Sequence, residues 1–260
     1  MKMHFVLDRN FSILQDLTDY LEPGNEIILT DDFLVEAYRS PFPNSILNDN
    51  FKIIRNYRDQ LYMTFSRGEL FRKELSLRKP LEPDQFINPK TTATLRWLLG
   101  LDHNSLDKEL LALTAEATDR IAYNDDFREK FIRNTACEAF ELLKKANELK
   151  TYRTDRNKRI NDIREVAFQV LEMTIKQLSS AEFDLELFRQ RNSVIFSQTF
   201  INIWRTVDWA LKNGFQNATK GIKGDGFDIR YVLVSCFFDG IKTKEPWLIQ
   251  CREDTLSNFK

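Results

Sequence analysis

His4-Phe5-Val6-Leu7-Asp8-Arg9-Asn10-Phe11 decides the fold. Four residues without a turn signal read as a fully buried strand, the kind found in parallel sheets. Asp8 closes that strand and opens an amphipathic helix predicted over residues 10–21, with Phe11, Leu14, Leu17 and Leu21 on one side. Open α/β sheets place their ligands at the carboxyl ends of strands. A carboxylate at that position points to a metal or a polar substrate. Asp8 alternatively caps the helix that follows.

Outward from this stretch the pattern repeats. Pro23-Gly24 ends the first helix, and Glu26-Ile27-Ile28-Leu29 reads as a second short strand. Thr30 or Asp31 caps the next helix, which carries Phe33, Leu34, Val35, Glu36 and Ala37 before Pro41 and Pro43 stop it. Leu61-Tyr62-Met63-Thr64-Phe65 reads as a third strand or as the continuation of a helix from Ile53, since short apolar runs fit both. Between residues 91 and 213 the strand signal disappears. Helical patterns are predicted at 91–100, 105–122, 126–149, 155–178, 181–191 and 194–213. The α/β signal then returns. Gly221, Gly224 and Gly226 precede Asp228, and a helix of Ile229, Val232, Leu233, Cys236 and Phe237 ends at Asp239-Gly240. Residues 246–250 read as a last strand, followed by Arg252-Glu253-Asp254. The expected fold is α/β. A parallel sheet is built from both chain ends (1–65 with 225–260), and a mostly helical insertion spans 66–224.

Composition narrows the function classes. A 42% hydrophobic fraction with 21 Phe supports a sizeable core and argues against disorder. Only 8 Gly and 7 Pro argue against an all-β sandwich. The odd, widely spaced Cys137, Cys236 and Cys251 read as free thiols in a reducing cytoplasm, with no metal-ligand spacing. No segment has the length and hydropathy of a membrane span, so no membrane partner is expected. Net charge is −1, which gives no global attraction to nucleic acid. Basic residues nevertheless concentrate at 52–79 and 144–164. Each stretch is either a solvated helix face or a phosphate-tracking surface. His4 and His103 are the only histidines, so triad chemistry is thinly supplied. Trp97, Trp204 and Trp209 lie on apolar helix faces and are expected in the core.

FVLDRN, EIILTDDFLVE, GFDIRYVLVSCFF and WLIQCRED, in that order, resemble a PIN-like nuclease domain. The resemblance covers residues 1–65 and 225–260. It implies Asp8 at the first strand end, with Asn10 positioning a ligand or phosphate. It also implies Glu36 in the second helix, Asp228 at a late helix start, and Glu253 or Asp254 after the last strand. Two departures stand out. The helical block is longer than the family's usual connection. The family's last motif reads strand–Thr–x–Asp, and Gln250-Cys251 stands where that hinge belongs. Clustered carboxylates repel and are neutralised by hard cations with oxygen ligands, so Mg²⁺ or Mn²⁺ is the expected cofactor. The implied activity is metal-dependent phosphodiester hydrolysis, with RNA as the expected substrate and Asp8, Glu36, Asp228 and Asp254 as metal ligands. The helical block is a candidate docking surface for a protein partner. Two competing readings are a non-catalytic interaction protein with a degenerate core, and a helical scaffold whose terminal strands share no sheet.

Overall fold

The computed structural model describes residues 2–11, 15–33, 51–101, 148–178, 183–213 and 226–259. Its centre is a four-stranded sheet in which every pairing is parallel. β1 (His4–Leu7) lies between β2 (Glu26–Leu29) and β4 (Gly240–Lys242), and β3 (Leu61–Met63) extends the sheet beyond β2. The order is therefore β3-β2-β1-β4. Val6, Leu7, Ile27, Leu29, Leu61 and Met63 are completely buried, as the continuous apolar runs predict for a sheet covered on both faces.

The two chain ends do meet in one sheet, but through a different strand from the one expected. Residues 246–250 are not a strand; they begin a helix, Pro246–Leu256. The reason is local. Pro246 occupies a first-turn position, where its missing N–H costs nothing. Leu248, Cys251 and Thr255 then recur at helical spacing and are buried together. The strand is Gly240–Lys242, only three residues long, directly after the turn predicted to end the preceding helix. Gly240 is required there. A Cβ at this position would come within 2.5 Å of the Phe5 ring on β1.

Helices pack around this sheet. In chain order, α1 is Gln15–Leu21, α2 Arg67–Leu77, α3 Pro89–Leu98, α4 Glu148–Thr154, α5 Arg156–Leu178, α6 Leu185–Gln190, α7 Val194–Asn213, α8 Gly226–Ser235 and α9 Pro246–Leu256. Residues 91–213, expected to be mostly helical, are so where described. The helices predicted at 105–122 and 126–149 lie outside the described residues, apart from the last two positions of the second, which start α4. Of the helix expected at 10–21, Arg9–Phe11 form a 3₁₀ turn and Gln15–Leu21 form α1, while residues 12–14 lie outside the described residues. α7 is buried almost throughout its first fifteen residues, the mark of a helix enclosed on all sides. It packs on α5, α8 and α9, so one continuous apolar cluster joins the sheet to the helical block.

A buried carboxylate starts α7. Glu74 on α2 accepts the N–H groups of Val194 (2.8 Å) and Ile195 (2.9 Å). These are donors that a helix amino terminus leaves without intrahelical partners. Burial pushes the Glu74 carboxyl up to about 7, against the pull of those N–H groups. Of the three tryptophans expected in the core, Trp204 is buried and Trp209 half-buried, but Trp97 is 58% exposed. Trp97 is near the carboxyl end of α3, where Leu95 and Leu98 already supply the buried face.

Candidate functional site at the carboxyl edge of the sheet

Each strand hands over to an Asp or a Thr: Leu7 to Asp8, Leu29 to Thr30, Met63 to Thr64 and Lys242 to Thr243. Asp8, Thr30 and Thr64 are buried. Among the described residues the Thr30 and Thr64 hydroxyls have no hydrogen-bond partner. The strand order reverses between β1 and β4, and open α/β sheets bind ligands outside the carboxyl ends at such a switch point. Asp8 and Thr243 stand on the two sides of it.

Register brings these two residues together. Leu7 pairs with Lys242, and the Asp8 N–H donates to the Lys242 carbonyl at 3.0 Å. The Thr243 hydroxyl then donates to Asp8 Oδ2 at 2.6 Å, and the Asn10 N–H donates to Oδ1 at 3.2 Å. The Glu245 N–H donates to Thr243 Oγ1 at 3.0 Å and closes the turn. Burial raises the Asp8 carboxyl above its ordinary range. The Thr243 and Asn10 donors oppose this, the Glu245 charge adds to it and Arg9 opposes it. The helix-cap reading of Asp8 is visible in the Asn10 contact, but the Thr243 contact across strands is not a capping interaction.

A second group lies over β2 and β3. Arg230 on α8 has a side chain only 7% exposed; it pairs with Asp31, with Asp32 at 3.4 Å, and donates to the Phe65 carbonyl at 3.3 Å. Asp31 and Asp32 thus do more than start a helix: they anchor Arg230. Burial raises the Asp31 carboxyl above the carboxylate range, Arg230 opposes it and Asp32 adds to it.

The expected site residues divide. Asp8 is at the strand end and Asn10 contributes its backbone N–H there. Asp228 sits half-buried in the first turn of α8, the helix that carries Arg230. Glu36 lies outside the described residues. Glu253 is exposed on α9, and Asp254 is buried on the same helix. Neither follows a strand. Asp254 Oδ1 accepts from Arg156, with Nε at 3.0 Å, and from Gln250 at 3.1 Å; Oδ2 accepts the Trp204 indole N–H at 2.7 Å. Its oxygens tie α9 to α5 and α7.

Thr243 and Glu245 escaped the sequence reading. The signal was present, since Thr243-Lys244-Glu245 is a Thr–x–acid step directly after Gly240-Ile241-Lys242. A three-residue strand beginning at glycine carries too little periodicity to be recognised. The basic stretches are partly engaged within the molecule. Arg55 donates to the Leu99 and Leu101 carbonyls and Lys73 to the Gln85 carbonyl at 2.8 Å, while Lys158 pairs with Asp162 at 2.7 Å.

Among the described residues no group of three or more Asp, Glu, His or Cys side chains is arranged to hold a metal ion. No helix among them is long and apolar enough to cross a membrane. Comparison with family models, with curated proteins and with solved structures finds no match to this chain.

Proposed function

We propose that this chain is a PIN-like nuclease that hydrolyses phosphodiester bonds, with RNA as its substrate and Mg²⁺ or Mn²⁺ as its cofactor. The observation that carries the reading is the pairing of buried Asp8 with Thr243 across the switch point of a β3-β2-β1-β4 parallel sheet. Thr243-Lys244-Glu245 supplies the strand–Thr–x–acid step that the resemblance lacked at residues 250–254. Glu245 therefore takes the role first given to Glu253 or Asp254, beside Asp8, Asp228 and Glu36.

The donor set fits the cofactor. Asp8 and Glu245 offer hard oxygens, and Mg²⁺ commonly binds through one or two carboxylates together with waters and substrate phosphates. Asp8 keeps free lone pairs on both oxygens after accepting its two hydrogen bonds. A bound divalent ion lowers the pKa of a coordinated water and offsets charge on the phosphate. The chain's own contribution is placement. The Thr243 hydroxyl fixes Asp8 Oδ2, the Asn10 N–H fixes Oδ1, and the burial that raises Asp8 makes it favour a cation. Asp228 lies in the first turn of α8, two residues before Arg230, which pairs with Asp31 and Asp32.

The interaction-protein reading draws on a specific observation, the absence of a three-acid group among the described residues. In that reading the helical block docks a protein and the strand-end groups are vestigial. A cleavage assay on labelled RNA and DNA, with Mg²⁺, with Mn²⁺ and with EDTA, separates the two. Metal-dependent cleavage that disappears in both Asp8→Asn and Glu245→Gln is the expected result. Equal inactivity of the parent and both variants across substrates and metals would favour the docking protein.

A further inference from the structure

A second candidate site lies away from the strand carboxyl ends. α3 runs antiparallel to β3: Thr92 receives the Met63 N–H at 2.9 Å, and Arg96 Nε donates to the Leu61 carbonyl at 3.0 Å. The end of α3 therefore reaches the amino end of β3, opposite the end that carries Thr64. There a cavity of about 370 Å³ opens between Arg58, Asp59, Arg96, Trp97, Gly100 and Leu101. That volume is within the range of small-molecule sites, roughly 300–1,000 Å³.

Its walls are unusual for a surface recess. Trp97 is the most exposed large apolar side chain among the described residues, at 58%. Arg96 is held in place by its Leu61 bond and by stacking over the Tyr62 ring, 4.7 Å from the centroid. Its Nη2, buried from solvent, has no acceptor among the described residues. Arg58 lies so close to Gly100 that a Cβ there would sit 2.2 Å from Nη1. Glycine at position 100 is what lets the guanidinium settle against the backbone. An exposed indole, the Arg58 guanidinium against Gly100 and the anchored Arg96 guanidinium therefore line one cavity with a carboxylate, Asp59.

We propose that this cavity binds a nucleotide unit, its base stacked on Trp97 and its phosphate held by Arg58. Aromatic stacking accepts any base, and a guanidinium suits a phosphate. Asp59 supplies an acceptor for a base amino group, and Arg96 adds positive potential behind the site. The ligand is either a free nucleotide or one residue of a single strand. The inference stands on the cavity alone and does not need the nuclease reading.

The test uses the full chain in EDTA, so that no divalent ion contributes. Inorganic phosphate, the four ribonucleoside 5′-monophosphates and a short labelled single-stranded RNA are titrated separately. Trp97→Ala should weaken nucleotide or RNA binding roughly 5- to 100-fold, with partial recovery in Trp97→Phe. Arg58→Gln should weaken binding and make the log-log salt slope shallower by about one. Gly100→Ala should act in the same direction by displacing Arg58. Trp97 is largely exposed, so its variants should keep the parent's melting temperature. Binding of RNA without mononucleotides assigns the cavity to a strand, and comparable binding of both assigns it to a free nucleotide. No binding of either, phosphate binding as tightly as a nucleotide, or affinity unaltered in Trp97→Ala and Arg58→Gln would overturn the proposal.

Discussion

Asp8 and Asp254 are equally buried aspartates far apart in sequence, and their surroundings differ. Asp254 meets a guanidinium, a side-chain amide and an indole N–H. Asp8 meets a hydroxyl and one backbone N–H, and of the nearby charges Glu245 works against it and Arg9 for it. Burying a carboxylate is costly unless it is paired and hydrogen-bonded. Asp254 meets that condition inside the chain. Asp8 meets it only in part, and a cation from outside would complete it. Burial alone therefore does not separate the two aspartates; what differs is that Asp254 bonds a guanidinium, whereas Asp8 bonds only neutral donors.

The contrast breaks most visibly in activity. Asp8→Asn should lower cleavage by more than about 100-fold, since even second-layer partners of a metal site cost 10- to 100-fold. Its melting temperature without metal should hold or rise, because a buried charge is removed. Initial rates beside a thermal scan check this, and a large fall in melting temperature would make Asp8 structural.

Glu74 sharpens the comparison as a third buried acid, satisfied by helix N–H groups without a cation. Its folded value of about 7 lies above the ordinary 4.5. The folded state therefore holds the proton more tightly, and the stability this supplies is complete below about pH 4.5. It is lost as pH rises towards 7. At about 1.4 kcal/mol per pKa unit, the parent should lose roughly 3 kcal/mol relative to Glu74→Gln across that window. Urea unfolding at several pH values measures the difference. Parallel pH profiles for parent and variant would contradict it.

Asp254→Ala should behave as the structural counterpart of Asp8. It leaves the Trp204 N–H without an acceptor, a cost of about 1–3 kcal/mol. Melting should fall by several degrees, while the cleavage rate per folded molecule and its metal dependence stay with the parent. Lost metal dependence in this variant would return Asp254 to the site. The smallest effect expected is from Thr243→Val, which removes the hydroxyl that orients Asp8. Apparent Mn²⁺ affinity should weaken about tenfold, with little change in melting. An unchanged metal titration would leave Thr243 a bystander.

The sequence exposed what depends on long or strictly patterned runs. β1, β2 and the limits of α7 follow from buried apolar stretches, and Asp8 from its place at a strand end. It concealed what depends on a few residues. Pro246-Trp247-Leu248-Ile249-Gln250-Cys251 is apolar enough for a strand, and its helical phase appears only when Thr255 is seen to share the face of Leu248 and Cys251. Reading 246–250 as the strand puts the expected last acid at Glu253 or Asp254, whereas the residue that follows the actual strand by one Thr–x step is Glu245. Partner identity was hidden as well: nothing near Asp254 in the chain announces Arg156 or Trp204, which come from distant helices. An apolar helix face places Trp97 in the core on the sequence pattern, but Thr92, Leu95 and Leu98 form the buried face and Trp97 stays exposed.

The most direct test of the central claim is the melting temperature of the parent, Asp8→Asn and Asp254→Asn, each with and without Mn²⁺. A ligand that binds only the folded state raises its stability by about 2.7 kcal/mol at 100 times its Kd. Mn²⁺ should stabilise the parent and Asp254→Asn alike and leave Asp8→Asn unmoved. Equal stabilisation of all three proteins, or of none, would contradict an Asp8-centred metal site.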